Sequence, residues 1–443
     1  MSGHVAQPSS SALERGARSI DADHHEVKPS EIALGVVIGR MSEFFDFFVY
    51  AIASVVVFPQ VVFPTFDRVT GTLLSFGLFA LAFLARPVGA VIFMAVDAKY
   101  GRGIKLTIAL FLLGGSTAAM AFLPPYAQIG FASAALLGVF RIGQGVALGG
   151  SWDGLASLLA LNAPENRRGW YAMIPQLGAP LGLLLASALF AFFLMTLSQA
   201  DFLDWGWRYP FFVAFAVNVV ALFARLRLVV TPEFSALLER KELEPTPVLE
   251  MFKAEGDHVV IGAFAPLASF AMFHLVTVFP LSWIFLFTNH SVSNFLRLEM
   301  VGAVVGIFSI GASGVLADQF GRRRLLGFSA ILIAVFSFVA PFLLGAGRLG
   351  EDAFVIVGFV LLGLSFGQSS GAVASNFPLK YRYTGAALTS DFAWLIGAGF
   401  APLAALALCS QFGLVFVGGY LLSGAICTLV ALRINRQIGL RGE

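Results

Sequence analysis

Charge is what this sequence has least of. Only 12% of its 443 residues are Asp, Glu, Lys or Arg, against about 25% in an ordinary soluble domain, so a water-facing globular surface is excluded. Cysteine is almost as scarce. Cys409 and Cys427 both lie in apolar stretches, which excludes a disulfide framework and leaves them as small packing residues. No Cys/His spacing suits a metal, and no Gly-Lys-Ser/Thr phosphate loop is present. No metal, no other cofactor and no ATP-driven step is therefore expected, and no constellation supports an enzyme. The opening thirty residues have no apolar core of a signal peptide. They read as a disordered cytoplasmic tail, with His24 and His25 in a solvated segment rather than a metal site.

What the sequence has instead is apolar bulk: 58% hydrophobic residues, 14% aromatic, 46 phenylalanines and a mean hydropathy of +0.85. A membrane-spanning helix needs about 20 mostly apolar residues. Such runs lie near 32–57, 70–95, 104–123, 128–159, 170–196, 208–228, 259–287, 299–317, 325–346, 353–376, 384–408 and 412–433. The fold class expected is an all-α integral membrane protein with twelve transmembrane helices. With the N-terminus placed in the cytoplasm, 21 of the 28 basic residues fall on inside segments, among them Arg102, Arg168, Arg225, Lys241 and Arg322 to Arg324. Only Arg68, Arg208, Arg297 and Arg348 fall outside. That bias predicts both termini in the cytoplasm.

The hydrophilic stretch 229–257 divides the chain, and the two sides repeat. "DAKYGRGIKL" follows the second span and "ADQFGRRRLL" the eighth, with Gly101 and Gly321 220 residues apart. "NRRGWYA" follows the fourth and "YRYTGAAL" the tenth, with Gly169 and Gly385 216 apart. Duplicated six-helix halves are the simplest account, with a binding site near the midplane between them. The organisation expected is a tail over 1–30, a six-helix bundle over 31–228, a cytoplasmic loop over 229–257, a second bundle over 258–435 and a tail over 436–443.

Along nearly its whole length the chain resembles a major facilitator superfamily transporter. "GVLADQFGRRR" (Gly314 to Arg324) is similar to that family's loop motif, and "RIGQGVALGG" (Arg141 to Gly150) to the arginine motif of its fourth helix. "EFFDFFVY", "ARPVGAVIF", "APENRRGWYAMIPQLG", "WGWRYPFF" and "YRYTGAALTSDFAWLIGAGFAPL" resemble the metabolite:proton symporter group, whose members carry proline, betaine, 2-oxoglutarate, citrate or shikimate. The first loop departs from the pattern: Met94 stands where the family has Gly, Ala98 where it has Asp, and Asp97 lies one residue early. After the helix-four motif Ser151 replaces an expected Glu, and an acid follows at Asp153. The resemblance implies that Asp318 pairs with arginines and that Asp97, Arg102, Asp153, Asp318, Arg322 and Asp391 serve as gate contacts.

A charge at the bilayer centre costs from about 2.5 kcal/mol upward, so such residues face a cavity or a partner. Here they are Arg40, Glu43, Asp46, Arg86, Arg141, Asp153 and Asp391, with His274. Arg40 and Glu43 are three apart, as are Glu43 and Asp46, so each pair shares a helix face. The expectation is that Arg40 neutralises Glu43 and Asp46 finds another partner. These residues either line a cavity or form a packing network. Arg141 either takes a substrate carboxylate or holds Glu43 or Asp46, with Gly145 and Gly149 beyond it allowing a close helix approach. Arg86 either snorkels or acts, and His274 either packs or contacts substrate. Gln176 follows Pro175 on a cavity helix, and Gln144 lies one turn from Arg141.

The resulting expectation is proton-coupled uptake of a small organic acid across the inner membrane by a monomer. Asp46 and Glu43 are the proton-coupling candidates; Arg141, Gln144, Gln176 and His274 are the substrate-binding ones. Its partners would be substrate, protons and membrane lipid, with no nucleic acid. The alternatives are uptake of a zwitterion such as proline or betaine, export of hydrophobic compounds, and a transport-inactive sensor on the same scaffold.

Overall fold

The computed structural model describes residues 29–151, 163–229, 245–370 and 377–434. The first long helix, α1, is Pro29–Val56, 28 residues or about 42 Å at 1.5 Å per residue. Eleven further helical stretches are long and apolar enough to cross a membrane: α2 Arg68–Tyr100, α3 Arg102–Ala121, α4 Ala132–Gly150, α5 Arg168–Thr196, α6 Gly206–Leu226, α7 Leu267–Phe287, α8 Val292–Phe320, α9 Arg322–Leu344, α10 Arg348–Phe366, α11 Arg382–Phe412 and α12 Val415–Ile434. With α1 they make the twelve that the apolar runs predict, and the described residues contain no strand. Large apolar side chains stand exposed on the outer surface, Phe308, Phe328, Phe338 and Phe342 among them. An apolar belt of that kind is stable against lipid and not against water.

The duplicated loops are duplicated in backbone as well. Gly101 joins α2 to α3 at φ 84°, and Gly321 joins α8 to α9 at φ 86°, a region that L side chains rarely adopt. In each case the glycine N–H closes on the carbonyl four residues back, Asp97 O or Ala317 O. Small residues also set the closest helix crossing. A Cβ on Gly145 or Gly149 of α4 would stand 2.3 Å from Ala82 O or 2.2 Å from Arg86 O of α2, so the two backbones meet as the four-residue glycine spacing predicts.

Three spans are irregular near their middles. α5 is interrupted after Arg168–Met173 by a 3₁₀ turn over Ile174–Leu177 that contains Pro175. α7 breaks at Val278, ahead of Pro280. α11 widens into a π turn over Leu395–Gly399 just before Pro402. Such breaks free carbonyls that a regular helix would use internally.

One expectation is corrected here. A helix, Val248–Phe264, kinked at Glu255, starts inside the stretch read as loop 229–257 and runs past its boundary; Met251 and Val259 pack it under Val36, Met94 and Tyr383. Arg225, counted among the basic residues of the inside segments, is 3% exposed near the end of α6.

The first six and last six helices touch at three levels. At the end bearing the basic loops, Lys105 Nζ donates to Tyr383 Oη at 2.7 Å. Between that end and the middle, Arg86 of α2 meets Asp391 of α11. At the far end, Ser187 Oγ of α5 lies 3.5 Å from Glu299 Oε2 of α8.

Candidate functional site

The centre of the bundle is aromatic. Phe44, Phe47 and Phe48 of α1 and Phe79 and Phe83 of α2 meet Phe273 and His274 of α7, Phe366 of α10 and Trp394 of α11, with ring centroids 4.8 to 6.4 Å apart across the halves. Apolar walls of this kind leave each polar atom among them to find a partner or stay costly. Several do not find one.

Arg141, 1% exposed, is held at two of its nitrogens. Nε donates to Phe79 O at 3.1 Å and Nη1 to Gln144 Oε1 at 2.9 Å. Gln144 in turn donates to Thr117 Oγ1 of α3 at 2.7 Å. The guanidinium lies over the rings of Tyr50 and Phe79, 4.2 and 4.7 Å from their centroids. Its Nη2 and the Tyr50 hydroxyl have no hydrogen-bond partner among the described residues. Arg141 pairs with neither acid of α1, which removes one of the two readings its position allowed.

His274, fully buried, stacks on Phe47 at 4.8 Å. Its Nδ1 lies 2.8 Å from the Ala398 carbonyl in the π turn of α11. A carbonyl only accepts, so Nδ1 carries the proton. Nε2 has no partner among the described residues. Gln176 stands apart from this cluster. It is buried on the 3₁₀ turn of α5, beside α1, with its Oε1 unpartnered.

The acids of α1 separate clearly. Glu43 receives Arg40 Nη1 at 2.5 Å and, from α6, Arg225 Nη2 at 2.6 Å. Arg40 neutralises Glu43 as the spacing predicts, and Arg225 is the second partner that its position in a basic run hid. The close pass is possible because residue 39 is glycine: a Cβ there would fall 2.3 Å from Arg225 Nε. Asp46 has a neutral neighbour instead. Asn218 Nδ2 of α6 donates to its Oδ2 at 2.6 Å, Ser42 Oγ donates to Asn218 Oδ1 at 2.5 Å, and Oδ1 of Asp46 has no partner among the described residues.

Towards the basic end the contacts become ionic. Arg86 Nε lies 2.6 Å from Asp391 Oδ1 across the halves, so Arg86 pairs rather than snorkels. Asp97, the displaced acid, takes Arg102 Nη2 at 2.8 Å, Lys105 Nζ at 3.6 Å and, from the other half, Tyr383 Oη at 3.4 Å. Asp318 meets expectation only in part: Arg322 acts on it electrostatically, but its hydrogen bonds go to backbone. Its oxygens accept from the backbone amides of Gly169 and Trp170 at 2.6 and 3.1 Å, where the start of α5 offers free N–H groups and a positive dipole end. No arginine stands at ion-pair distance from it among the described residues. Arg322 Nε instead reaches Gln368 Oε1 at 3.4 Å, and Gln368 returns to Gly169 O at 3.1 Å. Asp153 lies outside the described residues.

Sequence reading missed Arg225, Asn218, Tyr50 and Glu299. Asn218 carried a usable signal as the only polar residue in "FFVAFAVNVVALF". Glu299 stood at the edge of its apolar run, but α8 begins at Val292 and buries it fully. Tyr50 read as one aromatic among many.

A family model described as Major Facilitator Superfamily matches residues 36–402. The chain belongs to the major facilitator superfamily. Membership makes it a multi-pass membrane transporter rather than an enzyme. Among its curated relatives is the inner membrane metabolite transport protein YhjE of Escherichia coli, 35% identical over 92% of this chain and 94% of that one. The shikimate transporter of E. coli is 30% identical over 91% and 94%, and its proline/betaine transporter 26% identical over 89% and 80%. Among solved structures, the crystal structure of a D-xylose-proton symporter superposes with a TM-score of 0.69 at 19% identity, covering 93% of this chain and 99% of that one. A partially occluded inward open form of the E. coli xylose transporter gives 0.71 at 17%, over 92% and 98%. At such identities the structures establish the shared twelve-helix fold.

Proposed function

We propose that this protein is a proton-coupled symporter of the cytoplasmic membrane that takes up a small organic acid, a mono-, di- or tricarboxylate, as a monomer with both termini in the cytoplasm. The observation that carries the reading is Arg141. It is a buried cation at the bundle centre, with Nη2 unpartnered and no acid at ion-pair distance among the described residues; Asp46 acts on it only from farther off. A buried donor without an acceptor is costly, and a carboxylate presented to Nη2 and the Tyr50 hydroxyl supplies one. The names of the relatives support a metabolite as cargo.

Asp46 is the proton carrier in this reading. Its hydrogen-bond neighbour is an amide; the cation that acts on it, Arg141, stands beyond ion-pair distance and in this reading is taken by the substrate carboxylate, so a proton neutralises Asp46. Glu43, between two arginines, already has its counter-charges and acts as a fixed strut of the first bundle. The bundles 31–228 and 258–435 rock against each other over the bound acid. Arg86–Asp391, Asp97–Lys105–Tyr383 and Asp318 on the start of α5 close the cytoplasmic side, with Arg102 and Arg322 as their neighbours on that face; Asp153, outside the described residues, stays a gate candidate from the sequence alone.

A zwitterion such as proline or betaine is the second reading, favoured by the aromatic centre. Against it, the faces of Tyr50 and Phe79 are already engaged by the Arg141 guanidinium.

Reconstituted vesicles test the reading. Labelled shikimate or dicarboxylate should accumulate under an inward proton gradient and stop accumulating with an uncoupler, and Arg141→Lys should abolish binding. Accumulation of betaine or proline alone would select the second reading. Binding without any flux would leave a sensor. Reporter fusions test orientation: those at Arg102, Arg168, Lys241 and Arg323 should read cytoplasm, and those at Asp204 and Arg348 the opposite side. One inverted loop breaks it.

A further inference from the structure

We infer that His274 selects hydroxylated acids: the imidazole Nε2 accepts a hydrogen bond from a hydroxyl of the substrate whose carboxylate lies on Arg141. The inference rests on the organic-acid reading and narrows it to a hydroxy-carboxylic acid.

The argument begins with the tautomer. The Ala398 carbonyl, 2.8 Å from Nδ1, fixes the ring hydrogen on that nitrogen, so in the neutral ring Nε2 offers only a lone pair. Phe47, Phe79, Phe83, Phe273 and Trp394 surround the imidazole, at 4.8 to 6.3 Å between centroids. None of them can donate to a lone pair except through the Trp394 indole N–H, and Nε2 has no partner among the described residues. A fully buried acceptor left unpaired costs about as much as a lost hydrogen bond. A ligand that brings a donor recovers that cost.

Placement links this acceptor to Arg141. Both groups approach the Phe79 ring, the guanidinium at 4.7 Å and the imidazole at 5.5 Å. The guanidinium carbon and the imidazole centre can be no farther apart than those two distances laid end to end, which keeps both within reach of one hydroxy acid of a few carbons. The two ends demand opposite things of a ligand. Arg141 Nη2 is a donor that wants an anionic oxygen, and His274 Nε2 is an acceptor that wants an O–H. A simple carboxylate satisfies only the first. A site built to hydrogen-bond a substrate hydroxyl discriminates strongly against the analogue that lacks it, because the protein group is then stranded.

The experiment uses the purified full-length protein in detergent with matched acids, malate against succinate and lactate against propionate, by calorimetry and by competition for uptake. The hydroxylated member should bind about tenfold tighter or more. His274→Phe should collapse that ratio to near one by weakening the hydroxy acid and sparing its deoxy partner. His274→Gln, whose amide oxygen can still accept, should keep part of the preference. Should His274→Phe not fold, the glutamine variant and the unsubstituted protein still decide. Equal affinity within every pair in the unsubstituted protein overturns the inference while leaving the organic-acid reading standing, as does a preference that survives in His274→Phe. Binding of no acid at all overturns both.

Discussion

Glu43 and Asp46 lie three residues apart on α1, and both are buried carboxylates facing α6. Glu43 meets Arg225 and Arg40; Asp46 meets Asn218, a neutral amide. One helical face thus carries a carboxylate whose charge is fixed by two cations and another whose charge is not. On the proposed reading the bundle both holds together and moves a proton, and the two tasks are best kept on different groups. A carboxylate clamped by two arginines cannot lose its charge without stranding them, whereas Asp46 can change state while its neighbours keep their hydrogen bonds. The same division recurs at the basic end. Asp97 is held by side chains, Asp318 by backbone amides.

The comparison breaks most readily at Glu43. Glu43→Gln leaves Arg40 and Arg225 one acceptor oxygen at residue 43 in place of two and removes their shared counter-charge there, and losing one partner of a buried ion pair costs about 3–5 kcal/mol. The midpoint of thermal unfolding in detergent should drop sharply, and a midpoint equal to that of the parent would show that Glu43 is no strut. Next in size is Asp318→Asn, which turns an NH₂ group toward a backbone N–H at the start of α5 and costs about 1–3 kcal/mol. Its transport rate should fall more than that of Ala98→Asp, measured at equal expression; equal rates would remove the gate role from this loop. The smallest effect on stability is expected at Asp46→Asn, within about 1 kcal/mol, because Asn218 can turn its amide to match. That variant should lose pH-driven accumulation and still exchange substrate across the membrane, since exchange requires binding and rocking but no net proton movement. If Asp46→Asn accumulates substrate while Glu43→Gln is stable and uncoupled, the two roles are exchanged.

Much of the fold was legible because the bilayer imposes a length and a polarity on each span, and α2 through α12 follow the apolar runs closely. The glycines of the repeated loops were legible for a different reason: a positive φ restricts the residue, and Gly101 and Gly321 share it. The site was readable only in part. Arg141, His274 and the acids stood out as charges in apolar runs. Their partners did not, because a partner is chosen by packing between distant segments. Arg225 sat beside Arg227 and read as part of a basic loop until α6 carried it inward to Glu43. The resemblance implied arginine partners for Asp318, and Arg322 does act on it, yet its hydrogen bonds go to the amides at the start of α5. The π turn of α11 left no mark in the sequence beyond Gly397, Gly399 and Pro402, none of which names the residue that meets the Ala398 carbonyl.

That π turn makes α11 the mechanical reference for the centre of the molecule. His274 takes its bearing from Ala398 on α11 rather than from its own helix, while Asp391, seven residues earlier on α11 and about two turns nearer the basic end, grips Arg86 in the other half. A roll of α11 about its axis therefore cannot disturb one without the other: turning the imidazole loosens the ion pair, and pulling on the ion pair re-aims the imidazole. Trp394 lies between them, 6.3 Å from the His274 ring, placed to report that coupled motion through its own fluorescence.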